Sequence, residues 1–299
     1  FGRAMESALI STENPHIMQP HLICAAYEIP LMLQDSATFG STFKANIEEL
    51  EGVGMLREVD GKWHLGVEGP AYPSFRVNIR SVSSNVYTLI EEDTGVVLEM
   101  LEETACFEQL HTGAVYLHKG TAYLVRRLEL DSKIAFATQV DLPYYTETND
   151  ITDIRVLRTK DSKRVGNINV NLGEVEVTNA VLGFRKKLHL TDSVIGDEPL
   201  SLPPQCFNTV AVWFDIPQEL SKRINQARLA LAGGLHAVEH AAIGMLPLFA
   251  LCDRNDIGGV STPLHSDTGK PQVFIYDGHP GGVGIAEHGY AVIEEWWSA

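Results

Sequence analysis

The chain has 299 residues, of which 44% are hydrophobic and 21% are charged. This composition is typical of a globular protein with two or three domains, and no apolar run is long enough to predict a membrane span. The formal net charge of −16 argues against a protein that coats nucleic acid indiscriminately.

Residues 1–70 are predicted to form a winged-helix domain. PHLICAAYEIPLML and SATFGSTFKANIEELEGVGML carry apolar residues at helical spacing, and MLREVDGKWHL follows with two short runs joined by Asp60-Gly61. Asp-Gly favours a tight turn with positive φ, so this stretch predicts a two-stranded wing. The helix before the wing carries one cation, Lys44, against three glutamates. Because phosphate repels so acidic a helix, we expect it to pack against its neighbours and not to read a DNA groove.

Residues 71–204 are predicted to form a β-rich domain, an antiparallel barrel or sandwich. Short runs rich in Val, Ile, Tyr and Thr follow one another with short turns between them. These runs are FRVNIRSV, NVYTLIE, GVVLEML, GAVYLH, TAYLVRRLEL, KIAFATQV, DIRVLRT, RVGNINVNL, GEVEVTNAVLG and RKKLHL. The last of them fall in residues 155–187, which hold eight basic and three acidic residues in an otherwise acidic chain. Such a segment is either a phosphate-contacting face or the solvated face of a β-domain.

Residues 205–299 are predicted to form a mixed α/β layer that is continuous with the β-rich domain. TVAVWFDI and QVFIYD are typical of strands. PQELSKRINQARLALAGGLHAVEHAAIGMLPLFAL predicts a buried apolar helix, or two helices with a break at Gly233-Gly234. DGHPGGVGIAEHGYAVIEEWW predicts a glycine-rich turn that enters a helix. The fold class predicted for the whole chain is therefore α+β.

The stretch HAVEH places His236, Glu239 and His240 on one face of the predicted helix, with the H-x-x-E-H spacing of one class of zinc peptidases. A peptidase needs a further acidic ligand and an open position for water, whereas the helix around this motif is apolar on nearly every side. We therefore predict no catalytic residue and no metal ligand, and we keep the zinc metallopeptidase as an alternative. The favoured hypothesis is a buried polar network of His236, Glu239, His240, Asp253, Arg254 and Asp256.

The stretch DGHPGGVG, residues 277–284, follows a predicted strand and precedes a predicted helix, as a phosphate loop does. It lacks both the G-x-x-x-x-G-K-[ST] order and the G-x-G-x-x-G order. We therefore favour a tight turn in which glycines take positive φ and let backbones approach closely. Without a Walker A motif, the chain alone is not expected to hydrolyse ATP.

Four cysteines, Cys24, Cys106, Cys206 and Cys252, lie far apart and form no C-x-x-C pair. A zinc ribbon or finger needs close pairs, because two thiolates must reach one small ion. Scattered single cysteines are more typical of buried thiols in a reducing compartment.

Six stretches resemble the C-terminal half of the RecQ-like superfamily 2 DNA helicases of the MrfA type. They are ENPHIMQPHLICAAYEIPL, TGAVYLHKGTAYLV, PPQCFNTVAVWFDIP, GLHAVEHA, LCDRNDIGG and IYDGHPGGVGIAE, in one order from about residue 13 to the end of the chain. The resemblance implies a winged helix followed by a MrfA zinc-binding domain. It further implies a non-catalytic accessory region of an ATP-dependent 3′ to 5′ DNA helicase of DNA repair.

The same resemblance implies which partners and cofactors to expect. Family members carry two RecA-like motor lobes that bind ATP with Mg²⁺, and a zinc held by four cysteines that follow the glycine-rich turn and its helix. The cysteines of this chain do not match that cluster, so we expect zinc, ATP and Mg²⁺ in the intact parent and no cofactor in this fragment. The implied partners are single-stranded or forked DNA and the motor lobes of the same polypeptide, inside the cell.

Contact with single-stranded DNA requires Arg or Lys on an accessible face, and it is helped by aromatic side chains on which bases stack. Tyr144 and Tyr145 are the predicted stacking platforms. The predicted phosphate contacts are Arg126, Arg127, Arg158, Arg164, Arg185, Lys186 and Lys187. A structural or protein-interaction module remains the alternative, and the acidic helix of the winged-helix domain favours it.

Overall fold

The computed structural model describes residues 9–77 and 85–299, which form two compact units. Within the described residues, unit 1 contains 9–77, 155–176 and 208–299, and unit 2 contains 85–154 and 177–207. The units follow spatial contacts and not chain order. The division into three consecutive domains stays a prediction.

Unit 1 begins with the winged-helix order that the sequence predicts. Three helices precede a hairpin, namely α1 (Pro15–Glu28), α2 (Ser36–Phe39), α3 (Phe43–Gly52), β1 (Leu56–Val59) and β2 (Lys62–Leu65). Asp60 and Gly61 join the two strands with φ angles of 52° and 74°, which is the geometry that Asp-Gly favours. The buried side chains of Leu22, Phe43 and Leu56 pack the helices against the hairpin. The predicted wing is therefore confirmed.

Unit 2 is built on a five-stranded sheet and one short helix. These elements are β3 (Val86–Glu91), β4 (Val97–Glu102), α4 (Glu103–Gln109), β5 (Val115–His118), β6 (Thr121–Glu129) and β7 (Ile134–Gln139). The strand order is β4-β3-β7-β6-β5, and every pair is antiparallel except β3 with β7. Phe107 of α4 packs in one buried cluster with Leu89 and Ala135 of the sheet. Helix α4 therefore covers one face of this sheet.

Two long strands contribute residues to both units. They are β8 (Tyr144–Val165) and β9 (Ile168–Leu188), and β10 (Val194–Pro199) pairs with the end of β9. The sequence predicts four shorter strands over the same residues. Polar positions such as Lys160 and Asp161 suggest interruptions, but a paired strand tolerates them because their side chains face solvent.

The C-terminal layer of unit 1 is an antiparallel sheet covered by helices. Its elements are β11 (Gln205–Asp215), α5 (Gln218–Gln226), α6 (Leu231–Met245), β12 (Ile257–Thr262), β13 (Gln272–Asp277), α7 (Ile285–Ala291) and α8 (Ile293–Ser298). The strand order is β11-β13-β12. Leu235 and Ile243 of α6 join a buried cluster with Phe214 and Ile275 of the sheet. The predicted α+β class, with a mainly antiparallel β-rich part and an apolar helix packed on the C-terminal sheet, is confirmed.

Several local predictions are wrong or untested. The helical stretch after β11 breaks at residues 227–230, where Arg228 has a φ of 57°, and not at Gly233-Gly234, which continue as helix. Helix α4 and strand β12 were not predicted from the sequence. The start of FRVNIRSV lies in a 3-10 turn, Pro73–Arg76, and its residues from 78 onwards lie outside the described part of the chain. No helix in the described residues is long and apolar enough to cross a membrane.

Candidate functional site

A row of cations lies along β8 in unit 1. Arg158, Lys160 and Arg164 occupy alternate positions of the strand, so their side chains leave the same face, and all three are exposed. Glu174 of β9 contacts two of them, because Arg158 Nη2 donates to its Oε1 at 2.7 Å and Lys160 Nζ lies 3.4 Å from the same oxygen. We call these three cations the β8 row. Glu174 pairs with two of the three cations, whereas Arg164 donates to the backbone carbonyl of Gly166 at 3.2 Å.

Glu174 titrates differently from a free glutamate because of these neighbours. Partial burial raises the pKa of its carboxyl group, but the hydrogen bonds and positive charges of Arg158 and Lys160 outweigh this effect and lower the pKa. The carboxylate is therefore charged at neutral pH and holds the first two cations of the β8 row in place.

Two polar cavities border the β8 row. A cavity of about 390 Å³ is lined by Arg158 and Lys160 together with Asn14 and three glutamates, Glu13, Glu174 and Glu287. A second cavity, of about 560 Å³, is lined by Arg164 and by Lys270, which pairs with Asp215 at 2.7 Å. The row thus runs along an open polar surface of unit 1.

The three consecutive cations predicted at residues 185–187 of unit 2 are paired with carboxylates. Arg185 lies 3.3 Å from Asp197, Lys186 lies 2.5 Å from Glu198, and Lys187 pairs with Glu147. Residues 185–187 therefore form three ion pairs and carry little net charge of their own. The predicted stacking platforms are also engaged, since Lys186 Nζ lies 5.8 Å from the ring of Tyr144 and Tyr145 donates to Asp192 at 2.9 Å.

Arg126 and Arg127 lie on β6 of the same unit at an irregularity of the strand register, and they contact Thr138 and Phe136, which share one face of β7. Arg127 lies 3.6 Å from Glu92 and 3.6 Å from Glu129, with its guanidinium 3.9 Å from the ring of Phe136. Arg126 donates to Thr138 at 3.0 Å. The structure therefore divides the seven predicted DNA contacts between the units, with Arg158 and Arg164 in unit 1 and the other five in unit 2.

HAVEH occupies α6 as predicted, but its histidines are not buried. Glu239 faces the sheet with 9% of its side chain exposed, whereas 62% of the His236 side chain is exposed and His240 is exposed as well. His236 Nδ1 lies 3.3 Å from Glu239 Oε2, and the Nε2 atoms of the two histidines lie 3.0 Å apart. The prediction that both imidazoles are interior is wrong, because only one face of α6 packs against the sheet.

The polar cluster after α6 forms its own local structure. The backbone N–H of Asp253 donates to the Asp256 carboxylate at 2.8 Å, and the Asp256 side chain also lies 3.3 Å from His279. Arg254 is exposed between them. A polar network that joins this cluster to the HAVEH side chains stays a prediction.

The glycine-rich turn is the tight turn that the sequence predicts. Gly281, Gly282 and Gly284 have φ angles of 75°, 78° and 100°. The carboxylate of Asp277, at the end of β13, accepts hydrogen bonds from the backbone N–H groups of Val283, Gly284, Ile285 and Ala286 at 2.7–3.2 Å. A phosphate loop offers such donors to an anion. Here the protein's own carboxylate takes them.

Asp277 is a buried carboxyl group with an altered acidity. Burial raises its pKa to about 6, and the negative charge of Glu287 acts in the same direction. The hydrogen bonds from the backbone N–H groups of Val283, Gly284 and Ala286 act in the opposite direction, because they stabilise the carboxylate. The side chain therefore fixes the start of α7, and it titrates in a range where ordinary aspartates are fully charged.

Asn14 is a buried polar residue that was not among the predicted site residues. Its side-chain oxygen accepts from the backbone N–H of His16 at 2.9 Å and caps α1, while its nitrogen donates to the carbonyls of Pro280 and Gly282. The N-cap could have been predicted from Asn14-Pro15 at the start of a helical pattern. No local sequence pattern predicts that Asn14 contacts the glycine-rich turn, because the partners are more than 260 positions away.

Two family models match the two ends of the chain, and known proteins are similar to nearly all of it. Residues 10–82 match the winged helix domain of the ATP-dependent helicase HRQ1, and residues 238–299 match the MrfA Zn-binding domain. The ATP-dependent helicase YprA of Bacillus subtilis is 32% identical over 293 residues, which cover 96% of this chain and 38% of YprA.

The chain is homologous to the C-terminal region of these DNA helicases. The ATP-dependent helicase hrq1 of Schizosaccharomyces pombe is 30% identical over 82% of the chain and 23% of its own length. The crystal structure of the DUF1998 helicase MrfA bound to DNA is similar over 99% of the chain and 39% of that protein, with 28% identity and a TM-score of 0.59. The chain therefore spans less than two fifths of each of these relatives. None of the comparisons supports the metallopeptidase alternative.

The name of the C-terminal domain implies zinc, but the cysteines of this chain do not form a zinc site. None of the four, all within the described residues, forms a disulfide: Cys106 is buried, Cys24 and Cys252 are half-buried, and Cys206 is exposed. Burial raises the pKa of the Cys106 thiol to about 12, which keeps it protonated and unfit to bind a metal. Cys252 is the single cysteine in the matched range 238–299. The four-cysteine ligand set that the resemblance implies therefore does not fit these residues.

Proposed function

We propose that this chain is the DNA-engaging accessory region of an ATP-dependent 3′ to 5′ helicase, which guides single-stranded DNA and supports the motor lobes. The observation that carries the proposal is the similarity of nearly the whole chain to the C-terminal part of MrfA, whose structure was solved with DNA bound. ATP hydrolysis then belongs to the motor lobes of the parent polypeptide, since the chain has no Walker A motif.

The β8 row is the surface on which we propose that the strand runs. Alternate residues of a strand lie roughly 6.6 Å apart, so Arg158 and Lys160 are spaced for successive phosphates of an extended nucleic-acid strand. Each cation is exposed, and the two polar cavities beside the row leave room for sugars and bases. Phosphate oxygens would compete with Glu174 for Arg158, which makes the contact reversible.

The number of carboxylates that pair directly with the cations distinguishes the β8 row from the other predicted DNA contacts. The chain carries −16 overall, so the cations that are least neutralised by direct carboxylate partners are the favoured contacts for a DNA strand. Residues 185–187 have one carboxylate partner each, and Arg127 lies between two. In the β8 row Arg158 and Lys160 share one carboxylate partner, Glu174, and Arg164 donates to a backbone carbonyl, so direct pairing neutralises these cations less than the others, although Glu13 and Glu287 border the adjacent cavity.

The test is the salt dependence of binding to a fluorescent single-stranded oligonucleotide, measured by anisotropy. Each phosphate contact with a single strand contributes about 0.7 to the slope of log affinity against log salt. We expect Arg158→Ala/Arg164→Ala to weaken binding and to lower this slope by about 1.4.

The matched control is Lys222→Ala/Arg223→Ala, which removes the same charge from exposed positions of α5. An equal loss in this control, or an unchanged slope in the β8 variant, excludes the β8 row from the DNA path. Absence of any binding by the unmodified chain supports instead a structural or protein-interaction module.

A further inference from the structure

The two histidines of α6 are arranged as chelating ligands. They are four residues apart on a helix of 15 residues, so their rings leave the same face, and their Nε2 atoms face each other 3.0 Å apart. The ligand atoms of His236, Glu239 and His240 all lie within 4.8 Å of one another. We propose that His236 and His240 bind a divalent transition-metal ion, Zn²⁺, and that Glu239 is the positioning residue that orients His236. This replaces the sequence-based expectation that these residues bind no metal.

The distance between the ring nitrogens fits one ion held between them. Zinc–nitrogen bonds of about 2.0–2.1 Å in tetrahedral geometry place two ligand nitrogens roughly 3.4 Å apart. The observed separation of 3.0 Å reaches this value with a small rotation of the His240 side chain, which is exposed. In the metal-free protein one ring must donate a proton to the other, and the ion would take the place of that proton.

Glu239 supplies the contact that fixes the orientation of His236. Its carboxylate lies 3.3 Å from Nδ1, the ring nitrogen on the far side from the proposed metal ligand Nε2. A carboxylate in this position selects the tautomer that has a lone pair on Nε2, and it raises the basicity of the imidazole. The buried carboxylate of Glu239 therefore orients the His236 ring, which a glutamate side chain in solvent would not do.

The neighbouring strand leaves space for this carboxylate. A Cβ atom at Gly259 of β12 would lie 2.7 Å from Cγ and 3.0 Å from Oε1 of Glu239. A larger residue at this position would require the side chains of Glu239 and Ile243 to shift. The packing of α6 on β12 therefore holds Glu239 close to His236.

The proposed site is open on its outer side, since 62% of the His236 side chain is exposed. Water or a ligand from a partner would complete the coordination of the ion. The site differs in chemistry and place from a four-cysteine zinc cluster, because it uses two imidazoles on one helix. It is also independent of the β8 row, so each proposal can fail without the other.

The first experiment titrates Zn²⁺ into the full chain and follows the imidazole ¹⁵N signals by NMR, together with calorimetry. We expect one equivalent of Zn²⁺ to shift the Nε2 signals of both histidines. His236→Ala and His240→Ala should each weaken binding at least tenfold, whereas His16→Ala, at an exposed histidine of α1, should bind as the unmodified chain does. Imidazole signals that do not move, or binding that survives both substitutions, would overturn the proposal.

A second pair of variants tests the role of Glu239. Glu239→Gln keeps an acceptor for Nδ1–H and should retain Zn²⁺ affinity within a few-fold, while Glu239→Ala should lower it by about 10–100-fold. A thermal melt of each metal-free variant confirms that it is folded. If Glu239→Gln loses as much affinity as Glu239→Ala, the carboxylate is a direct ligand and its assignment as a positioning residue is wrong.

Discussion

Asn14 donates a side-chain hydrogen bond to the carbonyl of Gly282 at 2.6 Å, across 268 positions of the sequence. A second bond from the same nitrogen reaches the carbonyl of Pro280 at 2.9 Å, while the side-chain oxygen caps α1. One residue therefore fixes the first helix of the winged-helix fold to the glycine-rich turn of the C-terminal layer. Both elements belong to unit 1.

We predict that Asn14→Asp destabilises the chain although aspartate is a good N-cap residue. The substitution keeps the acceptor for His16 and removes both donors, so a carboxylate faces two carbonyl oxygens in a buried site. Unsatisfied buried groups cost about 1–3 kcal/mol each, and we expect a loss of about 2–4 kcal/mol in urea unfolding. The exposed neighbour variant Glu13→Gln should change the free energy of unfolding by less than about 0.5 kcal/mol.

A second prediction concerns the close approach at Gly281. Its φ is 75°, and a Cβ atom there would lie 2.4 Å from Oδ1 of Asn14. Gly269 has a similar φ of 66° with nothing within 4 Å of its Cβ position. Gly269→Ala should cost about 1–2 kcal/mol for backbone strain alone, and Gly281→Ala should cost clearly more, measured by urea unfolding. Equal losses would mean that the contact with Asn14 adds nothing to the strain.

Asp277 should give the stability a measurable pH dependence. Burial raises the pKa of its carboxyl group from 3.8 to about 6 in the folded chain, so between these values the folded state holds a proton that the unfolded state has released. The free energy of unfolding contributed by this group therefore decreases as the pH rises from about 4 to 6, by about 3 kcal/mol at most.

The measurement compares urea unfolding of the unmodified chain and of Asp277→Asn at several pH values. The asparagine variant cannot titrate at this position, and it should be less stable overall because an amide group would face a backbone N–H of α7. The advantage of the unmodified chain should therefore shrink as the pH rises from 4 to 6. A constant or growing advantage over that range would show that the carboxyl pKa is not raised.

The triple variant Arg185→Ala/Lys186→Ala/Lys187→Ala gives a further prediction for DNA binding. Each of these cations is already paired with a carboxylate of unit 2, so a phosphate would have to displace that partner. We expect the salt slope of single-strand binding to change less than it does in Arg158→Ala/Arg164→Ala, although three charges are removed instead of two. A larger change in the triple variant would move the DNA path to unit 2.

Local sequence patterns predicted the elements whose geometry depends on neighbouring residues. Asp60-Gly61 predicted the wing, because both residues tolerate positive φ whatever surrounds them. The glycines of DGHPGGVG predicted a tight turn for the same reason. The helix boundary near Arg228 was misplaced, since a non-glycine residue with positive φ leaves no compositional signal. Strand β12 was missed because Gly258 and Gly259 disfavour strands on their own, whereas here they give room to Tyr276 and Glu239.

The sequence by itself determined the α+β class, the winged-helix order and the relationship to the helicases, because these depend on periodicity, turn residues and motifs that are local in the chain. Only the tertiary structure decided which cations keep free charge, that Asp277 occupies the donors of a loop resembling a phosphate site, and that the HAVEH imidazoles face solvent. The physical reason is that ion pairing, burial and ligand geometry depend on which residues the fold brings within a few ångströms. Sequence spacing does not contain that information.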